Sequence, residues 1–169
     1  QGTALLQVAT VPLFSGFMYA AVGSYIARSW RVMELSYTHY PNRSATLVLA
    51  LAIYINFFTH HYILDVRLVL FALLILFYRR TQVKFRLVDS YHTMPLLVAF
   101  VLIALFIWLA ENIGTFTGAW LYPEQVAGWH IVSIGKLGSW LLLMVISFVM
   151  VECLWARTTT PKSLQSERP

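Results

Sequence analysis

The sequence is poor in charge, in acidic residues and in cysteine. Of its 169 residues only 11% are charged, against about 25% in a typical soluble domain. So little charge cannot coat a water-facing surface when 59% of the residues are hydrophobic and the mean hydropathy is +0.70. That excludes an ordinary soluble enzyme and leaves the bilayer as solvent. One cysteine, Cys153, excludes an internal disulfide and a cysteine-based metal site. It lies in an apolar run beside Val151 and Leu154 and reads as an inert packed thiol. No basic stretch precedes the first apolar segment, so nothing resembles a signal peptide. Also missing are a CxxC pair, a glycine-rich phosphate loop and a Ser-His-Asp arrangement. The 12 basic residues outnumber the seven acidic ones, but they lie between apolar segments with no interleaved aromatics. They read as orientation signals and contacts to anionic lipid, and no nucleic acid is expected as a partner.

What the chain does have is long apolar runs. Five are read as membrane-spanning helices, at about 11–27, 45–62, 66–78, 94–113 and 131–155, giving an all-α polytopic bundle over 1–156 with a polar tail at 157–169. The third run is short for a core about 30 Å thick and needs local thinning or burial among its neighbours. Thr10 and Pro12 fit the start of the first helix, Asn42 or Ser44 can cap the second, and Asp65 the third. The stretches 32–43 and 79–86 read as polar and basic loops. Gly16, Ala20, Gly23 and Ala27 recur every three or four residues on one helix face, which lets another membrane subunit approach closely. With five spans, ten of the 12 Lys and Arg residues fall on one side, and only Arg67 and Lys136 on the other. The positive-inside rule then places the C-terminus in the cytoplasm and the long loop at 114–130 on the outer face.

That loop is the stretch around which the rest is organised. Glu111 to His130 carries Trp120, Trp129, a Tyr122-Pro123 step, Glu124 and three glycines, far more specific material than a connection needs. Gly114 and Gly118 fit a helix end and a tight turn.

The segments VPLFSGFMYAAVGSYIARSW, NFFTHHYILDVR, FIWLAENIGTFTGAWLYPEQVAGW and KLGSWLLLMVISF resemble one family. By its Glu-Asn-Ile-Gly-Thr-Phe-x-Gly-Ala-Trp and His-His-x-x-x-Asp-x-Arg runs, the chain is identified as a member of domain-of-unknown-function family 817, the YoaT-like bacterial integral membrane proteins. The resemblance implies a bacterial inner-membrane location and no established activity. Family members extend further at the N-terminus, with additional helices before the position of Pro12. The chain, which begins at Gln1, is therefore expected to lack that part. A looser similarity of type links the Glu followed by a Gly-rich, Trp/Tyr stretch to membrane enzymes of the carotenoid pathway.

Several residues are candidates for chemistry. Glu111 follows a nearly pure apolar run, and ionisable groups at such depth face a bundle interior or a wet cavity. One reading pairs it with Lys136 across two helices. A second makes it an acid, with His60 and Lys136 as further catalytic candidates, acting on a lipid or isoprenoid held by Trp120, Tyr122 and Trp129. The same aromatics also fit an interfacial belt. His60, His61, Asp65, Glu111 and His130 share the outer face, yet adjacent histidines on a helix point about 100° apart and no HExxH pair is present, so no metal is assigned. No cofactor is named by any motif. The leading expectation is a non-enzymatic accessory or structural subunit of a larger membrane complex. A lipid or isoprenoid enzyme comes second and a small-solute transporter third, since the midplane is almost free of charge.

Overall fold

In a computed structural model of the chain, side chains are described for 20–59, 62 and 65–155, and backbone elements also for 7–8, 11–12, 14–19 and 156–159. His60, His61 and the tail at 160–169 lie outside these residues, and Gly16 is described by its backbone alone.

Five helices make up most of the fold: α1 (Phe14–Val32), α2 (Arg43–Thr59), α3 (Arg67–Tyr78), α4 (Leu96–Phe116) and α5 (Ile134–Thr159). A two-residue strand pair, β1 (Gln7–Val8) with β2 (Val11–Pro12), precedes them, so Pro12 belongs to a strand and not to a helix start. A three-stranded antiparallel sheet joins the helices at one end, in the order β3 (Ser36–Thr38), β4 (Gln82–Leu87), β5 (Ser90–Pro95).

That sheet corrects the expected all-α bundle of five spans. Both segments read as loops contribute strands to it, with Tyr37 opposite Val83 and Phe85 opposite His92. The physical cause is visible in Gln82-Val83-Lys84-Phe85-Arg86-Leu87, which alternates polar and apolar with the period of a half-buried strand. Val83 is buried under the helices while Lys84 and Arg86 point away. The count of spans is corrected as well. Among the described residues two helices are long and apolar enough to cross a membrane: α4, with a mean hydropathy of 2.4, and the part of α5 from Ile134 to Trp155, at 2.2. At 1.5 Å per residue, the 17 residues of α2 and 12 of α3 reach only about 26 and 18 Å.

The core lies along α5, which packs against α1, α2 and α4. Val145 and Val149 are fully buried, and Phe148 anchors an aromatic cluster in which Trp30, Tyr37 and Phe100 all lie within 5.5 Å of its ring. The outer faces are as apolar as the core. Leu68 is 83% exposed and Phe106 and Phe116 are each 70% exposed, and only 22% of the apolar stretch of α4 and 44% of that of α5 is buried. A core helix of a soluble protein would be mostly covered, so these two apolar helices point to a membrane.

Asn42 caps α2, its Oδ1 accepting the Ser44 amide at 3.0 Å. At the start of α3 the cap position falls to Val66 and not to the expected Asp65, which stands one residue before it and accepts the Arg67 amide at 3.0 Å and the Arg67 guanidinium at 2.6 Å. The Arg67 amide and side chain, with Asn56, hold the Asp65 carboxyl below the ordinary carboxylate range.

Candidate functional site

The end of α4 opposite the sheet is where the candidate residues gather. Gly118 stops the helix. Its φ of +73° lies in the left-handed region, which glycine enters without steric cost. The Gly118 amide bonds to the Thr115 carbonyl and the Ala119 amide to the Gly114 carbonyl, the paired closure of a Schellman cap. The chain then doubles back over α4. Trp120 lays its ring on Gly114, where a Cβ would collide with the far edge of the indole. Tyr122 is extended, the conformation that a following proline favours, and Pro123–Gln125 forms one 3-10 turn.

Glu111, 4% exposed, is the point on which this loop closes. Tyr122 donates its O–H to Glu111 Oε1 at 2.5 Å, and the Trp140 indole of α5 donates to Oε2 at 2.7 Å. Both carboxylate oxygens are engaged, so loop, α4 and α5 meet on one side chain. The expected Glu111–Lys136 ion pair is replaced. Lys136 Nζ rests on the Tyr122 ring and lies 4.0 Å from Glu124 Oε1. The ring whose hydroxyl holds Glu111 thus takes the ammonium on its face, a cation–π contact.

A second set of bonds fastens the rest of the loop. Trp129 Nε1 donates to Thr115 Oγ1 at 3.1 Å, and its ring meets Phe116 edge-on. Gln125, buried to 2% exposure, accepts the Tyr122 amide and donates to the His130 carbonyl at 2.7 Å. Asn112 Oδ1 accepts the Val132 amide at 2.9 Å while Trp108 Nε1 donates to the Val132 carbonyl at 3.1 Å. His130 sets its ring nitrogens against the Ile131 and Glu124 carbonyls.

Of the residues named from sequence, Glu111, Tyr122 and Lys136 come together, and Trp120 and Trp129 lie on the last two turns of α4. Asp65 belongs to a separate cluster with Asn56, Arg67 and Ser139. Among the described residues no three metal-binding side chains converge. The sequence reading missed Asn112, Gln125 and Trp108. Asn112 stands directly after Glu111 in an otherwise greasy helix, and that isolated amide was the available signal.

The family described as "Protein of unknown function (DUF817)" matches residues 1–148. The chain belongs to this family. A DUF817 relative, the uncharacterized protein YoaT of Bacillus subtilis (strain 168), is 47% identical over 144 residues. The alignment covers 85% of this chain and 54% of YoaT, so the chain spans about half the length of that relative. No solved structure matches. The DUF817 match takes in the whole Glu111 cluster, since Trp140 is the last of its residues along the chain.

Proposed function

We propose that this DUF817 chain is a multi-pass component of the bacterial inner membrane that acts as a non-enzymatic accessory or structural subunit. The observation that carries this reading is the engagement of both Glu111 oxygens by Tyr122 and Trp140. A buried acid presented to a substrate keeps an oxygen available. Here the carboxylate closes a latch between the loop and two helices. The antiparallel pair α4 and α5 supports a membrane setting, each being longer than the roughly 30 Å that a bilayer core requires. Arg28, Arg31, Arg43, Arg79, Arg80, Lys84 and Arg86 lie at the sheet end, which supports a cytoplasmic sheet and an outer Glu111 loop. Space beside Gly23, where a Cβ would meet nothing within 4 Å, supports the α1 face of Ala20, Gly23 and Ala27 as the seat of another subunit.

Native mass spectrometry of the protein taken from its own membranes in mild detergent tests the reading. Stoichiometric subunits are expected to co-purify, to leave on Gly23→Leu, and to stay on Glu111→Gln. A lone protein in native membranes would reject it.

The loop over Glu111 favours one alternative, a lipid or isoprenoid enzyme in which the Tyr122 bond opens to present the acid. In that case Glu111→Gln stays folded, and the membranes lose an isoprenoid or lipid product on extraction and chromatography. An unchanged lipid profile would remove the alternative.

A further inference from the structure

Helices α1 and α4 both pack on α5 but make no extensive contact with each other. Between them lies a cleft of about 330 Å³. Tyr25 and Ser29 of α1 form one wall, Ala99 and Phe106 of α4 the other, Phe148 of α5 the floor, and Phe85 of the sheet the roof. Along α4 the lining runs over Leu96 to Phe106, which at 1.5 Å per residue is roughly 15 Å. The cleft therefore starts under the sheet and descends alongside the apolar part of a spanning helix.

The charge above it is one-sided. Arg28 is exposed on α1, next to Ser29 and one turn from Tyr25, and makes no ion pair among the described residues. Seven Lys and Arg residues stand at this end against Glu34, Asp89 and Glu152, and two of those carboxylates are already paired, Glu34 with Arg86 and Glu152 with Arg43. Unneutralised cations at the depth of the headgroups attract anionic lipid, and an apolar slot directly below them removes one acyl chain from its bulk neighbours.

We infer that the cleft binds one anionic phospholipid, with an acyl chain between α1 and α4 and the phosphate at Arg28. The inference rests on the membrane reading above, and the two fail differently. Protein released from membranes by alkaline carbonate would overturn the membrane reading. Protein that stays in the membrane without a lipid adduct would overturn the site alone.

The test is native mass spectrometry of the delipidated chain in mild detergent, titrated with phosphatidylglycerol and with phosphatidylcholine. One phosphatidylglycerol adduct should survive activation that strips phosphatidylcholine. Ala99→Trp fills the slot and should weaken that adduct by about tenfold or more, a change of about 1.4 kcal/mol. Arg28→Gln should reduce phosphatidylglycerol to the level of phosphatidylcholine. Ile75→Trp, on the exposed outer face of α3, should change neither. Should Ala99→Trp lose its helical circular dichroism, Ser29→Phe closes the slot from the opposite wall. Equal phosphatidylglycerol binding in the folded, filled variant overturns the site. So does a dimer mass without lipid, which would make a second copy the occupant.

Discussion

Arg43, the first residue of α2, grips Glu152 near the end of α5, with Nη2 at 2.9 Å and Nε at 3.1 Å from the same carboxylate oxygen. The two residues are 109 positions apart. The Glu152 side chain is 9% exposed and the Arg43 side chain 58%, so the pair spans the boundary between core and surface. Removing Arg43 strands a buried charge, the costly half of such a pair. Arg43→Met is expected to lower stability by about 2–3 kcal/mol. Arg43→Met with Glu152→Gln should recover much of the loss, as thermal unfolding in detergent would record. Equal losses in the single and double variants would count against the pairing.

Gly114 is predicted to govern the seat of Trp120. A methyl at this position collides with the far edge of the indole, which can swing away because it is the end of a flexible side chain. Gly114→Ala should leave α4 intact, since alanine is the better helix former, while Trp120 moves out to water. The expected signature is a red-shifted tryptophan emission with unchanged helical circular dichroism, together with faster proteolysis within 117–133. An unshifted emission maximum would show that the ring is not seated there.

A charge knot at the other end should respond to pH. Glu34 accepts from Tyr91 at 2.9 Å and from Arg86 at 3.0 Å. The Tyr91 hydroxyl, then the Arg86 guanidinium, hold its carboxyl below the ordinary value of 4.5, and Glu34 in turn pushes the Tyr91 phenol above 10.0. A depressed acid stabilises the fold above its unfolded pKa and loses that effect as pH falls through the folded one. A raised phenol stabilises below its unfolded pKa and loses the effect as pH climbs. The knot should therefore hold between about pH 4.5 and 10. Glu34→Gln should bring the spectrophotometric titration of Tyr91 back toward 10. No change in that titration would mean the bond does not form in solution.

Val88, at the turn between β4 and β5, has a φ of +55°. A β-branched residue is strained in that region by roughly 1–2 kcal/mol, whereas glycine is not. Its side chain is 85% exposed and offers little packing in return. Val88→Gly is expected to raise the unfolding midpoint, and a lowered midpoint would refute the strain.

How much of this was legible depends on the kind of signal. Apolar runs mark helices because burial in lipid or core is all such a run can do. The run read at 66–78 coincides with α3 at Arg67–Tyr78, and Asn42, Asp65 and Gly118 act at helix ends through their own chemistry. The sheet is the harder signal although 82–87 alternates cleanly, because Lys84 and Arg86, with Arg79 and Arg80 just before the strand, match a charged membrane-side loop as well as they match the exposed face of a strand. The loop expected at 114–130, which the structure places at 117–133, is legible as important, but its partners are not. Which donors reach Glu111 depends on how α4 and α5 pack side by side, and that distance is not written in either helix alone. Charge favoured Lys136, yet a phenol and an indole were placed closer.

The sheet fixes where this molecule can move. Through β3, β4 and β5, the C-terminal end of α1, the N-terminal ends of α2 and α4 and the C-terminal end of α3 are tied to one hydrogen-bonded plate, as the arms of tweezers are joined at the bridge. Axial sliding of α1, α2, α3 or α4 would tear strand pairs, so the cheap motion is a splaying of these arms about that bridge. Its amplitude is greatest at the opposite tips, where Tyr122 and Trp140 hold Glu111. The clasp therefore ties the far tip of α4 to α5, the helix that adjoins no strand of the plate, at the longest lever arm from the bridge.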